Sequence, residues 1–182
     1  NTVATLIEEL APHIPMTVVD PEGEMWSLRE KIDLIIVGRS ENVDIEIEPH
    51  QAGAIATWSV EQGVSVVLDL FEYDDEEIEE VTQTYVSALW EACKRKKRPY
   101  HLVVEEADVF IPQPLPQKSI WKYVAKRGRK YGLGMILASQ RSQVVDKNIL
   151  TQCQLAFLHY VSHPRDMGIY KDLIPLKTRE VE

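Results

Sequence analysis

Apolar and polar positions along the chain follow two different periods. Nearly continuous apolar runs predict buried strands at residues 16–20, 34–38, 64–70, 101–107, 135–139 and 155–161. Apolar residues spaced three or four apart predict helices at about residues 2–11, 51–62, 73–95, 118–131, 148–153 and 165–173. Residues 27–31 suit a short helical turn, and the alternation within 40–49 indicates an exposed edge segment.

The order of these elements predicts the fold class. Strands that alternate with helices, and central strands that are almost entirely apolar, are typical of a parallel sheet covered on both faces. We therefore predict an α/β fold, a doubly wound and mostly parallel sheet, in a single domain over residues 1–182. Ligands of such sheets bind beyond the carboxyl ends of the strands. Polar residues fall at such ends in this sequence: Asp20, Asp69, Glu105, Glu106, Ser139 and Gln140.

The stretch from Tyr100 to Arg141 carries the candidate chemistry. Glu105 and Glu106 follow one apolar strand, and Gln140 follows the next. Adjacent carboxylates at the end of a buried strand are costly unless a cation or hydrogen bonds compensate them. The connecting helix carries cations that we expect close by: Lys126, Arg127, Arg129 and Lys130. Together these residues suggest a site for nucleotide phosphate and a metal ion.

Each of these features also has a simpler explanation. The acids can end a strand in solvent, and Gln140 can cap a strand end. Cations near the end of a helix are favourable because they complement the helix dipole. The basic run Lys94–Arg98 has the same explanation, and contact with the phosphate backbone of a nucleic acid is its alternative.

Composition and charge limit the function. An apolar fraction of 45% and a charged fraction of 27% are those of an ordinary soluble globular protein. No apolar run approaches a membrane span, so we expect a cytoplasmic protein without membrane contact. Cys93 and Cys153 have no metal-ligand spacing and are expected to be reduced thiols. The net charge of −9 argues against nucleic-acid binding over the whole surface, but not against a local basic patch.

A glycine-rich phosphate loop is missing from the sequence. No G-x-x-x-x-G-K-[ST] pattern occurs, although a phosphate-loop ATPase needs its amides and lysine to hold the phosphates. The loop would precede the first helix, and the chain starts within that helix. We interpret the sequence as a core without its upstream part, which by itself should not bind ATP in the usual manner.

Four blocks of sequence resemble the HerA–FtsK superfamily of ring-forming DNA-translocating ATPases, and HerA-like ATPases most closely. Residues 1–10 resemble the helix after the phosphate loop, and residues 18–24 resemble the second-strand signature. Residues 103–108 are similar to the Walker B motif, usually Asp-Glu-Ala-His. Residues 128–134, followed by 139–141 and 145–147, resemble the arginine-bearing helix, the sensor strand and the loop after it. This resemblance implies a RecA-like core.

The resemblance also implies roles for individual residues. Glu106 corresponds to the catalytic glutamate, and Glu105 to the acid that holds Mg²⁺ through water. Gln140 corresponds to the sensor of the γ-phosphate. Arg129, with Arg127 and Lys130 close behind, corresponds to a finger offered to the nucleotide of a neighbouring subunit. The remaining pair, Asn1 and Thr2, is expected near the bound ATP.

The family's biology sets further expectations. The resemblance implies an ATP-driven helicase or translocase that acts on duplex DNA. Its subunits are expected to assemble as a ring, which is expected to be a hexamer. A partner nuclease in DNA repair, or an effector in antiviral defence, is expected with it. Two departures are Glu105 in place of Asp and Asp108 in place of His. The missing phosphate loop and the change at Glu105 leave open a non-catalytic scaffold. An unrelated α/β domain that binds a small phosphate ligand or a partner protein is the third possibility.

Overall fold

The computed structural model describes residues 2–160 and Gly168, and within them helices and strands alternate. The helices are Thr2–Leu10 (α1), Ala52–Gln62 (α2), Asp75–Lys96 (α3), Ala107–Phe110 (α4), Ile120–Arg127 (α5) and Lys147–Leu150 (α6). The strands are Met16–Asp20 (β1), Ile35–Gly38 (β2), Ile45–Glu46 (β3), Val66–Asp69 (β4), Tyr100–Val104 (β5) and Leu133–Leu137 (β6). Turns of 3₁₀ helix occupy Met25–Glu30, Pro49–Gln51 and Gly128–Tyr131.

The strands form one parallel sheet in the order β3-β2-β4-β1-β5-β6. Strand β1 lies at its centre, where Val18 is opposite Val67 of β4 and Val103 of β5. This topology confirms the predicted α/β fold class. We call the two ends of the sheet the carboxyl edge and the amino edge, after the strand ends that meet there.

Each face of the sheet buries its own core. Adjacent residues on a strand point to opposite faces, so Val18 and Val19 of β1 belong to different cores. Helices α2, α3 and α5 cover the face of Val19. Helix α1, through Ile7, and the turn that carries Leu28 pack on the other face. The continuous apolar runs of the sequence are therefore explained by burial on both sides.

Helix α3 shows how the sequence defines the ends of its helices. Asp74 accepts a hydrogen bond from the Glu77 amide at 2.9 Å, and the Glu77 carboxylate accepts one from the Asp74 amide at 3.2 Å. This capping box satisfies two amides that the first turn would leave unpaired. The helix ends where Lys97 takes a left-handed conformation, with φ of 51°. A helix that joins two parallel strands runs against them, so this basic end of α3 lies at the amino edge.

The structure differs from the sequence-based expectation at three places. Strand β5 ends at Val104 rather than at residue 107, because Glu106 turns into a left-handed conformation and α4 begins at Ala107. Helix α6 is shorter than predicted. Residues 155–160, predicted as most of a buried strand, form no ladder and are exposed, with Tyr160 at 93%. Apolar composition indicates a strand only where a neighbouring strand pairs with it, and this segment has no such neighbour among residues 2–160.

Two further expectations fall beyond the described part of the chain. Val161, the last residue of that predicted strand, is outside it, as is the predicted helix 165–173 apart from Gly168. Among the helices that the structure describes, none is long and apolar enough to cross a membrane.

Candidate functional site

The turn after β5 presents two carboxylates at the carboxyl edge. The Glu105 amide donates to the Val19 carbonyl of β1 at 3.1 Å, so the backbone is still held by the sheet at this point. Glu106 then adopts φ of 45°, which is rare for a residue with a side chain and costs roughly 1–2 kcal/mol. Such strain is typical of functional positions, where the surrounding structure holds it in place. Here the constraint fixes the direction of the Glu106 side chain.

The end of β6 meets this turn through hydrogen bonds. Gln140 Nε2 donates to Glu106 Oε1 at 2.8 Å. Ser139 Oγ donates to Asp108 Oδ1 at 2.6 Å, and the Ala107 amide donates to the Ala138 carbonyl at 2.8 Å. The acidic turn and the polar end of the neighbouring strand are therefore one connected unit. Asp108 stands where the Walker B motif usually has histidine, and it contributes to that connection by accepting the hydrogen bond from Ser139.

A cavity of about 260 Å³ opens beside these groups. Glu105, Glu106 and Gln140 line it together with Thr2, the first residue of α1. The structure thus brings together every site residue expected at the carboxyl edge within its described residues. Asn1, the remaining one, lies outside them.

Further polar residues line the same cavity, although sequence reasoning did not place them in the site. They are Asp20, Glu22, Glu24 and His159. For Asp20, its position at the end of a predicted strand was the signal in the sequence that could have placed it in the site. For Glu22 and Glu24 the only signal was the turn that follows β1, and for His159 there was none, because its segment was predicted to be a buried strand.

Asp20 is an acid of the cavity whose pKa is raised. Its side chain is buried, and this burial raises its pKa to about 6 although amides of Met25 and Gly23 donate to it at 2.7 and 3.0 Å. The nearby Asp69 carboxylate, buried at the end of β4, raises the pKa of Asp20 further. A carboxyl group with a pKa near neutrality can bind or release a proton at physiological pH.

The cations lie at the other end of the sheet, which corrects the expectation that they sit close to the acids. Helix α5 runs against the strands, so Arg127 ends it at the amino edge, and Arg129 follows in the 3₁₀ turn before β6. Five residues of β6 separate this turn from the carboxyl edge, about 17 Å of extended chain. Neither arginine is among the residues that line the acidic cavity.

The two arginines differ in their surroundings. The Arg127 guanidinium stacks on the Tyr123 ring, 5.8 Å from its centroid. Arg129 is exposed, and no carboxylate of the described residues lies within 4.0 Å of it. Gly128, between them, is packed so tightly that an added Cβ would lie 2.5 Å from the Leu133 carbonyl oxygen. The backbone that presents Arg129 is therefore fixed, whereas its side chain is available.

The donor set suits Mg²⁺ only as part of a complex with phosphate. Among the described residues, no three His, Cys, Asp or Glu side chains come together as a complete metal site. Mg²⁺ commonly takes one or two carboxylates and completes its shell with waters and substrate phosphates. Glu105 and Glu106 at the cavity fit that kind of binding.

Comparison with known proteins identifies proteins whose sequences are similar to this chain. No family model matches the chain. The DNA double-strand break repair helicase HerA of Saccharolobus solfataricus is 29% identical over 119 residues, which are 59% of this chain and 23% of that protein. The probable HerA helicase of Methanocaldococcus jannaschii is 33% identical over 94 residues, 50% of this chain and 19% of that protein. The chain is HerA-like. It spans about a fifth of the length of these curated relatives.

Solved structures agree with the HerA-like fold. The genome packaging NTPase B204 from Sulfolobus turreted icosahedral virus 2, in complex with AMPPCP, superposes with a TM-score of 0.60. The match covers 95% of this chain and 73% of that one at 16% sequence identity. At this identity the likeness establishes the fold, a RecA-like core, and no shared residue roles.

Proposed function

We propose that this HerA-like core is the motor part of an ATP-dependent DNA helicase or translocase. The curated relatives are named as DNA helicases, and a protein of the same fold binds nucleotide analogues. Residues 1–182 form the single RecA-like domain that carries out hydrolysis in the full-length protein. A phosphate loop supplied upstream of Asn1 completes the nucleotide site.

The hydrogen bond from Gln140 to Glu106 is the observation that carries this proposal. In hydrolysis of ATP, a carboxylate polarises the attacking water while a polar group on the next strand contacts the γ-phosphate. The two groups must therefore lie within reach of the same phosphate. Glu106 Oε1 and Gln140 Nε2 are 2.8 Å apart at the cavity, and backbone hydrogen bonds between the segments that follow β5 and β6 hold the two residues there.

The other site residues have supporting roles. Glu105 holds Mg²⁺ through water, and the ion neutralises phosphate charge when it is bound. Asp108 keeps Ser139, and thereby the start of the segment with Gln140, against the acidic turn. Thr2, at the start of α1, lies where the helix dipole favours a phosphate.

Hydrolysis is completed between subunits. Arg129 is too far from the cavity of its own chain, but its exposed position at the amino edge suits a finger for the site of a neighbour. A finger supplied from another subunit requires a head-to-tail contact, and repeated contacts of this kind close into a ring. We propose a hexamer on duplex DNA, with a nuclease in repair or an effector in antiviral defence as its partner.

Replacement of Glu106 by Gln in the full-length protein tests the assignment. Gln preserves the size of the side chain and removes the charge that polarises water. ATP turnover should fall by about 10²- to 10⁴-fold, while ATP remains bound in an equilibrium assay. Glu79→Gln is the matched control, because Glu79 is exposed on α3 and does not line the cavity.

Two results would contradict the proposal. Unchanged turnover in the Glu106 variant would remove the catalytic role from this residue. A full-length protein without any ATP turnover, with or without duplex DNA, would favour a non-catalytic scaffold instead.

A further inference from the structure

Positive charge is concentrated at the amino edge. Of the 20 lysines and arginines, nine lie in the two runs 94–98 and 126–130. The fold brings these runs together, since the rings of Trp90 and Tyr131 meet edge to face at 5.2 Å. The Tyr100 amide also donates to the Gly132 carbonyl at 3.0 Å, which joins the chain after each run. We call these nine residues the basic end.

Most of this charge is not neutralised. Lys94 pairs with Glu91 at 2.6 Å, and Arg95 reaches Glu61 at 4.0 Å. The other seven cations of the basic end have no carboxylate within 4.0 Å in the described part of the chain. A helix C-terminus carries only about half a negative charge. The helix dipoles of α3 and α5 therefore do not account for so many unpaired cations.

A groove with aromatic walls borders the basic end, and two residues of the basic end line it. It runs between α3 and α5 and has a volume of about 440 Å³. Tyr123 and Arg127 line it from α5, and Trp90 and Lys94 line it from α3. Each cation lies over a ring of its own helix, with Lys94 Nζ 5.6 Å from the Trp90 centroid and Arg127 Cζ 5.8 Å from that of Tyr123.

The charge inside the groove is positive. Glu91 is the one carboxylate among its lining residues, and its charge is matched by Lys94. Tyr123 remains 37% exposed, so part of its side chain is accessible to a ligand. Exposed aromatic rings beside cations can stack on bases whose phosphates the cations hold, and every base has a face that stacks.

We propose that the α3–α5 groove binds single-stranded nucleic acid, with a base on Tyr123 and phosphates on the basic end. An acidic protein segment would use the cations but leave the aromatic wall without a role. Duplex nucleic acid keeps its bases stacked inside, so only its phosphates could bind. The groove shares no lining residue with the acidic cavity. This inference goes beyond the proposed motor and does not require ATP hydrolysis.

Fluorescence anisotropy without nucleotide tests this binding. The probes are a labelled oligothymidylate of about 12 nucleotides, the same backbone with abasic positions, a duplex of equal length and polyglutamate. The oligothymidylate should bind about tenfold more tightly than the abasic strand, because one stacked base contributes roughly that much. Duplex binding, which the proposed motor also requires, should not depend on the Tyr123 ring.

Variants separate the contribution of the ring from that of the charge. Tyr123→Ala should abolish the preference for the base-bearing strand, and Tyr123→Phe should retain it. Lys96→Glu should weaken binding. The negative slope of log affinity against log salt should become shallower by about 0.7, because one phosphate contact is lost. Lys118→Glu is the matched control, because it makes the same charge change at an exposed loop residue outside the basic end.

Several outcomes would overturn the proposal. Equal affinity for the base-bearing and abasic strands would show that no base stacks on Tyr123. Duplex binding that Tyr123→Ala weakens as much as oligothymidylate binding would contradict the assignment to single strands. Equal effects of Lys96→Glu and Lys118→Glu would contradict the assigned surface. Polyglutamate that binds as tightly as oligothymidylate would assign the groove to an acidic protein. Circular dichroism of each variant verifies that the fold is retained.

Discussion

Replacing Lys122 by Met should destabilise the fold strongly, because Lys122 forms a buried ion pair. Its Nζ lies 3.3 Å from Asp146 Oδ2, and the side chains are only 7% and 2% exposed. The same ammonium donates to the Leu115 carbonyl at 2.6 Å. The pair therefore fastens α5, which precedes Arg129, to the loop that follows Gln140.

The magnitude follows from what remains after the substitution. Removal of one partner from a buried ion pair costs about 3–5 kcal/mol. Asp146 would still accept hydrogen bonds from the Leu115 and Asn148 amides, at 3.2 and 2.9 Å. We therefore expect the lower end, about 3 kcal/mol. With a urea m-value of about 2 kcal/mol/M, the midpoint should fall by about 1.5 M.

The effect should depend on pH. Burial alone would raise the pKa of Asp146, but hydrogen bonds from Leu115, Asn148 and Lys122 outweigh it and hold this pKa below its usual range. A lowered pKa means that the carboxylate contributes stability above the unfolded-state pKa, near 4, and loses that contribution as the pH falls through the lower folded-state pKa. The difference between wild type and Lys122→Met should therefore shrink below about pH 4.

A double-mutant cycle measured by urea unfolding decides whether the pair acts as a unit. Lys122→Met and Asp146→Asn together should cost less than the sum of the single changes, because the second change removes the charge that the first leaves unpaired. Additive losses, or a midpoint that Lys122→Met does not move at pH 7, would refute this reasoning.

Three further substitutions test other features. Glu106→Gly should have a free energy of unfolding in urea about 1 kcal/mol higher than Glu106→Ala, since both lack the side-chain hydrogen bond to Gln140 but only glycine adopts positive φ without strain; equal stability of the two variants would mean that the backbone at this position is not strained. Asp20 has its pKa raised to about 6, so protonation favours the folded state and stability should fall by about 2 kcal/mol between pH 4 and pH 6. Asp20→Asn should flatten this profile of unfolding against pH, and an unchanged profile would assign it to other groups. Gly128→Ala should lower the melting temperature through an overlap with the Leu133 carbonyl, at a cost of about 1–3 kcal/mol; Gly168→Ala, where an added Cβ meets nothing within 4 Å, is the control.

The sheet was predictable because its central strands are buried on both faces. Met16–Asp20 and Val66–Asp69 are fully buried, and only a long apolar run satisfies such positions. The acids and the amide of the site were predictable for a related reason. Parallel strands deliver their last residues to one edge, so polar residues directly after apolar runs must meet there.

Other features depend on contacts that no local pattern encodes. The apolar run 155–160 has the composition of a strand, but its outcome depends on whether another strand pairs with it. The partner of Asp108 is Ser139, which follows the next strand, and their sequence separation hides the contact. The buried pair of Lys122 and Asp146 is hidden in the same way, because lysine in a helix usually indicates an exposed face.

Strand β5 has a consequence for how ligands communicate. Its five residues connect Arg98 and Pro99, at the basic end, with Glu105 at the acidic cavity, over about 17 Å. Ligands at its two ends are too far apart to collide, so both can be bound at once. Any factor by which nucleotide changes the affinity for nucleic acid must then equal the factor by which nucleic acid changes the affinity for nucleotide. If β5 couples the two sites, ligand bound at one edge of the sheet would change the affinity for ligand at the other edge, and the reverse effect would be equally large.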